Sequence, residues 1–295
     1  MLKILTYNAG LLKIGLFGRT LVEPAPFVNE RFARLAPALL SSGADIIALQ
    51  EVYDRSHQTQ LINDLFGIYP YHAVSPTRRW RHFGAALMIF SKYPMVDVQY
   101  LLFDHVPFDE RLFVDKGIII ATINTDVFGP IRLANTHNTS GGALHDPEGV
   151  FTSRVRDNQY RQIFAALDHD PSMKRFAVGD FNASPEVMPK NYQELLSHGY
   201  TDAWASCHSV TNDSTWDPKN ELNAHGPHRL TSAQRMDHIF SKNGSGSAIW
   251  AIDARIVLND RCVSVPGGGR VTISDHYGLI VGLETDDGTI HGKIN

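Results

Sequence analysis

The chain is punctuated by short aliphatic runs that stop on a carboxylate, a carboxamide or an imidazole. "KILTYN" (3–8) closes on Asn8, "DIIALQ" (45–50) runs into Glu51, "IRLANTH" (131–137) closes on His137, and "RFAVGD" (175–180) closes on Asp180. Runs of this length, rich in aliphatic and β-branched residues and bounded by Gly, Pro, Asp or Asn, read as strands. Further runs occupy 85–90, 117–124, 236–241, 253–258 and 278–283, and "TDVFGP" (125–130) reads as a tight hairpin turn. Helical spacing appears at 28–41, where Phe32, Leu35, Leu39 and Leu40 share a face, at 57–66, at 152–168 with Tyr160, Ile163, Phe164 and Leu167 inward, and at 188–197. The N-terminal half alternates strands and helices before a series of strands. The C-terminal half opens on a helix and repeats a similar order. Two sheets packed face to face with helices outside would bury these runs, so the expected class is α/β. No low-complexity linker divides residues 1–295, which are read as one domain.

The polar ends are the exceptional part of the pattern. "RMDHIF" holds Asp237, "ISDHYGLIV" holds Asp275 and His276 ahead of the last run, and Asn182 follows Asp180 by two positions. Taken singly, each has an ordinary reading: Asn8 as a turn residue, Glu51 as a solvated acid, His137 as a hydrogen-bonded core imidazole. Taken together they point to convergence, because apolar strands cannot bury such groups without partners. If the ends meet, they form a polar basin at one edge of the sandwich. Glu51 and Asp275 are hard oxygen donors that suit Mg²⁺, with Mn²⁺ as the alternative ion. His276 can serve as general base for water, and Asp237 can fix its tautomer. Asp180 and Asn182 can orient water and a phosphoryl oxygen, and His137 can donate to an anionic oxygen.

Composition removes several function classes. The 31 acids and 27 Lys and Arg leave a net charge of −4, so no global field attracts nucleic acid. With only Cys207 and Cys262, neither a disulfide framework nor a cysteine-based zinc site can form; two unrelated thiols are expected. No apolar run approaches the ~20 residues of a membrane span. "MLKILTYN" opens on a strand, with no leader pattern.

The motifs "LTYNAG", "LQEVYD", "NTHNTSG", "VGDFNASP", "RMDHIFS" and "SDHYGLIV" resemble, in this order, those of the endonuclease/exonuclease/phosphatase superfamily across residues 3–283. "FVDKGIIIATI" and "STWDPKNELNAHGPHRLTSAQRMDHIF" are most similar to the neutral, Mg²⁺-dependent sphingomyelinases of bacterial type. The resemblance implies a four-layer α-β-β-α sandwich of two mixed sheets, DNase I-like. It implies a divalent metal at Glu51 helped by Asn8 and Asp275, with His276 as base. Asp180 and Asn182 would position water and phosphate, His137 would stabilise phosphoryl oxygens, Asp237 would hold His276, and Lys116 would approach the phosphate.

The implied substrate is a phospholipid or another phosphodiester, with sphingomyelin cleaved to ceramide and phosphocholine as the favoured case. A metal-dependent nuclease of the same fold is the alternative. Peripheral membrane contact and a monomeric state are the partner expectations, with nucleic acid less favoured. The chain departs from the haemolytic members. The interval 241–273 carries a single aromatic, Trp250, where they have an aromatic hairpin. Three other stretches are candidates for substrate or bilayer contact: the apolar segment 9–27, the cluster Arg78, Arg79, Trp80, Arg81 and His82, and His225 with His228.

Overall fold

The computed structural model describes residues 1–16, 19–77, 84–141, 145–209, 213–224, 229–246 and 248–285. In chain order the elements begin with β1 (Leu2–Asn8), the hairpin β2 (Ile14–Leu16) and β3 (Arg19–Val22), α1 (Val28–Ser41), β4 (Ile46–Gln50), α2 (Arg55–Leu65), β5 (Tyr71–Val74), β6 (Met88–Ser91) and β7 (Met95–Leu102). They continue with α3 (Phe108–Phe113), β8 (Gly117–Thr125), β9 (Gly129–His137), α4 (Val150–Leu167), β10 (Lys174–Asp180) and α5 (Pro189–Ser197). The last are β11 (Thr201–Asp202), α6 (Ala203–Cys207), β12 (Asp237–Lys242), β13 (Ile249–Val257), β14 (Val263–Ser264), β15 (Arg270–Val271) and β16 (Gly278–Thr285).

Two six-stranded mixed sheets carry the fold, in the orders β13-β16-β1-β4-β6-β5 and β11-β12-β10-β9-β8-β7. The period-2 alternation of each strand sorts its side chains into layers. Ile4, Ile46, Ala48, Ile89 and Val281 of the first sheet meet Ile119, Ala121, Leu133, Phe176, Val178 and Ile239 of the second in one inner core. The opposite faces are covered from outside. Leu5, Ile47, Leu49 and Phe90 pack under Phe32, Leu35 and Leu39 of α1 and Leu61 and Leu65 of α2. Ile118, Ile120, Ala134, Ala177 and Phe240 pack under Tyr160, Ile163, Phe164 and Leu167 of α4 and Tyr192 and Leu195 of α5. The result is the four-layer α-β-β-α sandwich expected from the sequence.

One polar bridge crosses the inner core. Gln50 Nε2 donates to Asn135 Oδ1 (2.8 Å) and Thr6 Oγ1 (3.1 Å), while Asn135 Nδ2 donates to the carbonyls of Leu49 and Met88 (2.9 Å each). Such a buried network costs desolvation unless its members pair, so it favours one relative placement of the two sheets.

Several elements differ from expectation. The run 85–90 becomes a strand only from Met88, because Ser75 draws the Leu87 amide into a loop contact (3.0 Å to Oγ) and Ala86 takes φ 54°. Leu40 points outward at 38% exposure; only Phe32, Leu35 and Leu39 of the predicted face are buried. The edge strands β5 and β7 did not register in the sequence. Cys207 and Cys262 are both free and half-buried. Segment 9–27 buries Ala9, Leu11 and Ala25, and its middle forms the small β2–β3 hairpin. The cluster at 78–82, and His225 with His228, lie outside the described residues.

Candidate active site

Three neighbouring strands of the second sheet end level with one another. The register sets His137 of β9 beside Asp180 of β10, and Asp180 beside Asp237 at the start of β12. In the first sheet Asn8 pairs with Gln50, so Glu51 stands one residue past the same rim. Ser274, two residues before His276, donates its hydroxyl to the Asn8 carbonyl (2.7 Å), which brings the Asp275–His276 turn to the end of β1.

The backbone at this rim is unusual. Gly179 has φ 137°, and a Cβ there would fall on the Thr136 carbonyl oxygen, so the close approach of β10 to β9 requires glycine. Asn182 (φ 48°) and Glu51 (φ 59°) are both left-handed. Asn tolerates that region; for Glu it is uncommon, and strain of this kind concentrates at functional sites. The Leu11 amide on the Glu51 carbonyl (3.2 Å) and the Val52 amide on the Ala86 carbonyl (3.1 Å) hold Glu51 there.

Asn8 Nδ2 bridges the two sheets, donating to Glu51 Oε1 (3.1 Å) and Asp180 Oδ2 (3.0 Å). Its Oδ1 accepts the Gly10 amide (3.0 Å), so Asn8 enters the cluster by its nitrogen and acts on Glu51 as a donor. His276 Nδ1 is 2.9 Å from Asp237 Oδ2, and its Nε2 lies 3.9 Å from Asp180 Oδ2. His137 Nε2 is 3.5 Å from Asp180 Oδ2 and 3.8 Å from Glu51 Oε1. The Asn182 amide donates to Asp180 Oδ1 (2.9 Å), and its Nδ2 donates to the Asn138 carbonyl (3.0 Å). Lys116 Nζ donates to that same carbonyl (3.1 Å). Asp275 Oδ1 lies 3.0 Å from Ser274 Oγ. All nine residues singled out in the sequence therefore stand at one rim.

Charge is unevenly distributed there. Burial, followed by the Asp275 carboxylate, raises Glu51 above the ordinary range. Burial and the neighbouring Asp237 push Asp180 up to about 7. Burial opposes the charge on His276, but the field and hydrogen bond of Asp237, backed by Asp180 and Asp275, push it up to about 10. His137 goes the other way, well below the usual imidazole value, because burial and the Lys116 and His276 cations disfavour its charge.

This excess of confined carboxylate fits a divalent cation. Asp180, Asp237 and His276 offer ligand atoms within 4.8 Å of one another, a compact candidate metal site. Asp237 Oδ1 and His137 Nδ1 are buried with no hydrogen-bond partner among the described residues. Within the compact trio, however, His276 Nδ1 is already committed to Asp237. Glu51 and Asp275 add carboxylate oxygens of the kind a hard ion takes.

Sequence reasoning passed over four residues. The Asn138 carbonyl gathers Lys116 and Asn182, but a backbone acceptor carries no side-chain signal. Ser274 ties β1 to the His276 turn. Thr215 Oγ1 accepts the Met236 and Asp237 amides (3.1 Å each), and its carbonyl accepts the Tyr277 amide (2.6 Å), so "STWDP" spans the gap between Asp237 and His276. Tyr53 is buried in the field of Glu51, Glu110, Asp180 and Asp275 and, with burial as the main cause, sits well above its usual range; its place two residues after Glu51 was the available clue.

The sequence profile of the Endonuclease/Exonuclease/phosphatase family matches residues 5–276. Among known proteins, Sphingomyelinase C 2 of Leptospira interrogans serogroup Icterohaemorrhagiae serovar Lai is 22% identical over 276 residues, covering 88% of this chain and 43% of its own length. Sphingomyelin phosphodiesterase 5 of Danio rerio is 27% identical over 207 residues, covering 62% of this chain and 36% of its own length. The chain thus spans less than half of either relative. In structure, sphingomyelinase C from Streptomyces griseocarneus superposes with TM-score 0.72 at 23% identity, over 95% of this chain and 98% of that one. D. rerio TDP2, crystallised with a single-strand DNA product, gives TM-score 0.70 at 17% identity, over 96% and 99%.

Proposed function

The chain belongs to the Endonuclease/Exonuclease/phosphatase family, and from that premise we propose that it is a metal-dependent phosphodiesterase acting on a phospholipid head group, with sphingomyelin the favoured substrate. The observation that carries this reading is the His276–Asp237 pair, 2.9 Å apart, whose outward Nε2 faces Asp180 across the rim from Glu51. The unit is taken as residues 1–295 acting as a single domain and a monomer; Leu2 and Leu283 lie in the same core cluster.

Water attacks phosphorus in line, and His276 in its neutral form accepts the water proton at Nε2 while Nδ1–H stays on Asp237; cation charge at the neighbouring carboxylates would favour that neutral form. Asp180 and Asn182 fix that water and the phosphate. Neutral His137 donates N–H to a phosphoryl oxygen as charge builds, and Lys116 adds positive charge nearby. Cleavage gives ceramide and phosphocholine when sphingomyelin is the substrate. Glu51 and Asp275 would hold Mg²⁺ or Mn²⁺, with Asn8 orienting Glu51; a bound ion supplies Lewis-acid stabilisation of phosphoryl and leaving-group charge. Contact with a bilayer surface accompanies such a substrate. Helix α3 exposes Phe108, Leu112 and Phe113 beside the loop after His137, to which Glu110 Oε1 binds through the Ser140 and Gly141 amides.

The likeness to a structure holding a DNA product favours one second reading, a nuclease. The net charge of −4 weighs against it, because nucleic acid binding rests on neutralising phosphates. Sphingomyelin vesicles, phosphatidylcholine vesicles and plasmid DNA assayed side by side with Mg²⁺ and with EDTA decide between the two. Sphingomyelin hydrolysis that EDTA abolishes is expected. Cleavage of DNA alone would reject the lipid reading.

A further inference from the structure

Helix α1 carries a charge that the site does not touch. Arg31 is completely buried, and among the described residues its hydrogen bonds go to backbone carbonyls rather than to a carboxylate. A guanidinium has five N–H donors, and all five find backbone carbonyls. Nε donates to Pro26 (2.8 Å), Nη1 to Ala9 (3.2 Å) and Ile273 (2.9 Å), and Nη2 to Gly10 (2.7 Å) and Ala25 (2.7 Å). Two of these segments matter for the rim. Ala9 and Gly10 follow Asn8 directly, and Ile273 precedes Ser274, Asp275 and His276. The same guanidinium therefore clasps the loop that leaves β1 and the loop that enters β16.

The clasp sets a close approach. Gly10 has φ 56°, and a Cβ on it would collide with Asp275 Oδ1. Ser274 Oγ closes the junction from the other side, on the Asn8 carbonyl. Burial lowers the Arg31 guanidinium below its ordinary range, and the Asp275 carboxylate, with a smaller contribution from Glu51, opposes that. A fixed positive charge thus sits behind the two carboxylates without binding either, which leaves their oxygens to face the rim.

We propose that Arg31 is a positioning residue: by holding five carbonyls at once it locks the Asn8–Gly10 loop to the Ile273–His276 loop and so fixes the separation of Glu51 and Asp275 for a divalent cation. The part concerning the cation rests on the functional reading above; the lock between the loops does not. A lysine at this position keeps the charge but has three donors on a single atom and cannot reproduce a planar five-point fork.

The test uses the full chain with Arg31→Lys and Arg31→Met, and two readouts besides turnover. Hydrogen exchange reports the lock, and calorimetric titration with Mn²⁺ and with Mg²⁺ alone reports the site. In both variants, exchange is expected to quicken together in residues 9–12 and 273–277, while β8 and β9 exchange as in wild type. Metal affinity is expected to fall roughly 10–100-fold, the usual effect of losing an outer partner of a metal ligand. Unchanged exchange in both segments overturns the lock. Lower thermal stability with wild-type metal affinity in the folded variants overturns the positioning role, leaving Arg31 a folding clip only. Wild-type behaviour in Arg31→Lys with tighter metal binding in Arg31→Met also overturns it, by assigning the residue to charge alone. If wild type binds neither ion while protection is lost together in both segments of the variants, the metal reading fails and the lock stands.

Discussion

At the residue scale, the site depends on side chains whose ordinary behaviour has been reversed by confinement. His276 is held charged by acids, while His137, a few ångströms away, is held neutral by cations and burial. Two imidazoles in one basin thus differ in charge, and His276 can act as proton acceptor only in the neutral form that cation charge at the carboxylates would favour. Replacing His276 by Ala removes the proposed base and leaves the apolar core clusters intact. Turnover is expected to fall ~10²–10⁴-fold in protein that still folds, measured by steady-state hydrolysis beside a urea melt that records the cost of the lost Asp237 pair. Unaltered turnover would remove the role. Glu51→Gln keeps the shape and the Asn8 contact but halves the proposed hard-donor pair. It should raise the Mn²⁺ concentration needed for half-maximal activity in the same assay.

At the scale of elements, the end of β10 is the most constrained stretch. Its parallel neighbour β9 comes so close at Thr136 that only glycine fits at 179. Gly179→Ala should force the strands apart, costing ~1–3 kcal/mol by overpacking and more where the positive φ is also strained. A urea unfolding curve gives the cost directly. Because Asp180 follows immediately, activity should drop further than stability does. An alanine variant with native stability and native turnover would contradict this account of the strand end. Much of this element was readable beforehand: "FAVGD" has the composition of a buried strand and an acid at its end. The edge strand β7 was not, since "MVDVQYLL" alternates on neither face cleanly and bulges between Val96 and Gln99. Arg31 was hidden in a different way. It lies three residues after Val28 and four before Leu35, inside the apolar stripe of α1. That position is the one sign that its charge turns inward.

At the scale of the molecule, a buried ionic cluster around Asp202 lies behind the site and is expected to contribute to acid stability. Asp202 caps α6 through the Trp204 amide (2.9 Å) and accepts from Tyr192 (2.7 Å) and Arg235 Nη1 (2.9 Å), with His238 at 3.4 Å. His238 also reaches the Ala183 carbonyl (2.8 Å), just past Asn182. Burial would raise the Asp202 carboxyl, but the bonds and charges of His238 and Arg235 outweigh it and hold the group far below its normal range. A depressed carboxyl contributes stability that is complete above its unfolded pKa, near 3.9, and drains away as pH falls below that. Wild type should therefore exceed Asp202→Asn by roughly 3–5 kcal/mol at neutral pH, the cost of breaking a buried pair. The gap should narrow below about pH 4. Urea midpoints from pH 2 to 7 would show it, and a gap independent of pH would refute the linkage.

The sequence by itself determined the layers and the inventory of the site. Apolar runs of strand length must be covered on both faces, and a polar group that ends such a run has few places to go except a shared rim. The helices at 28–41 and 152–168 declared their buried faces through side-chain spacing. What only the tertiary structure decided was contact: that Asn8 turns its nitrogen to the carboxylates, that Asn138 serves through its carbonyl, and that Arg31 binds loops distant in the chain. Those choices depend on backbone atoms and on register between remote strands. Every residue presents the same backbone groups, so side-chain identity along the chain does not encode which of them will meet.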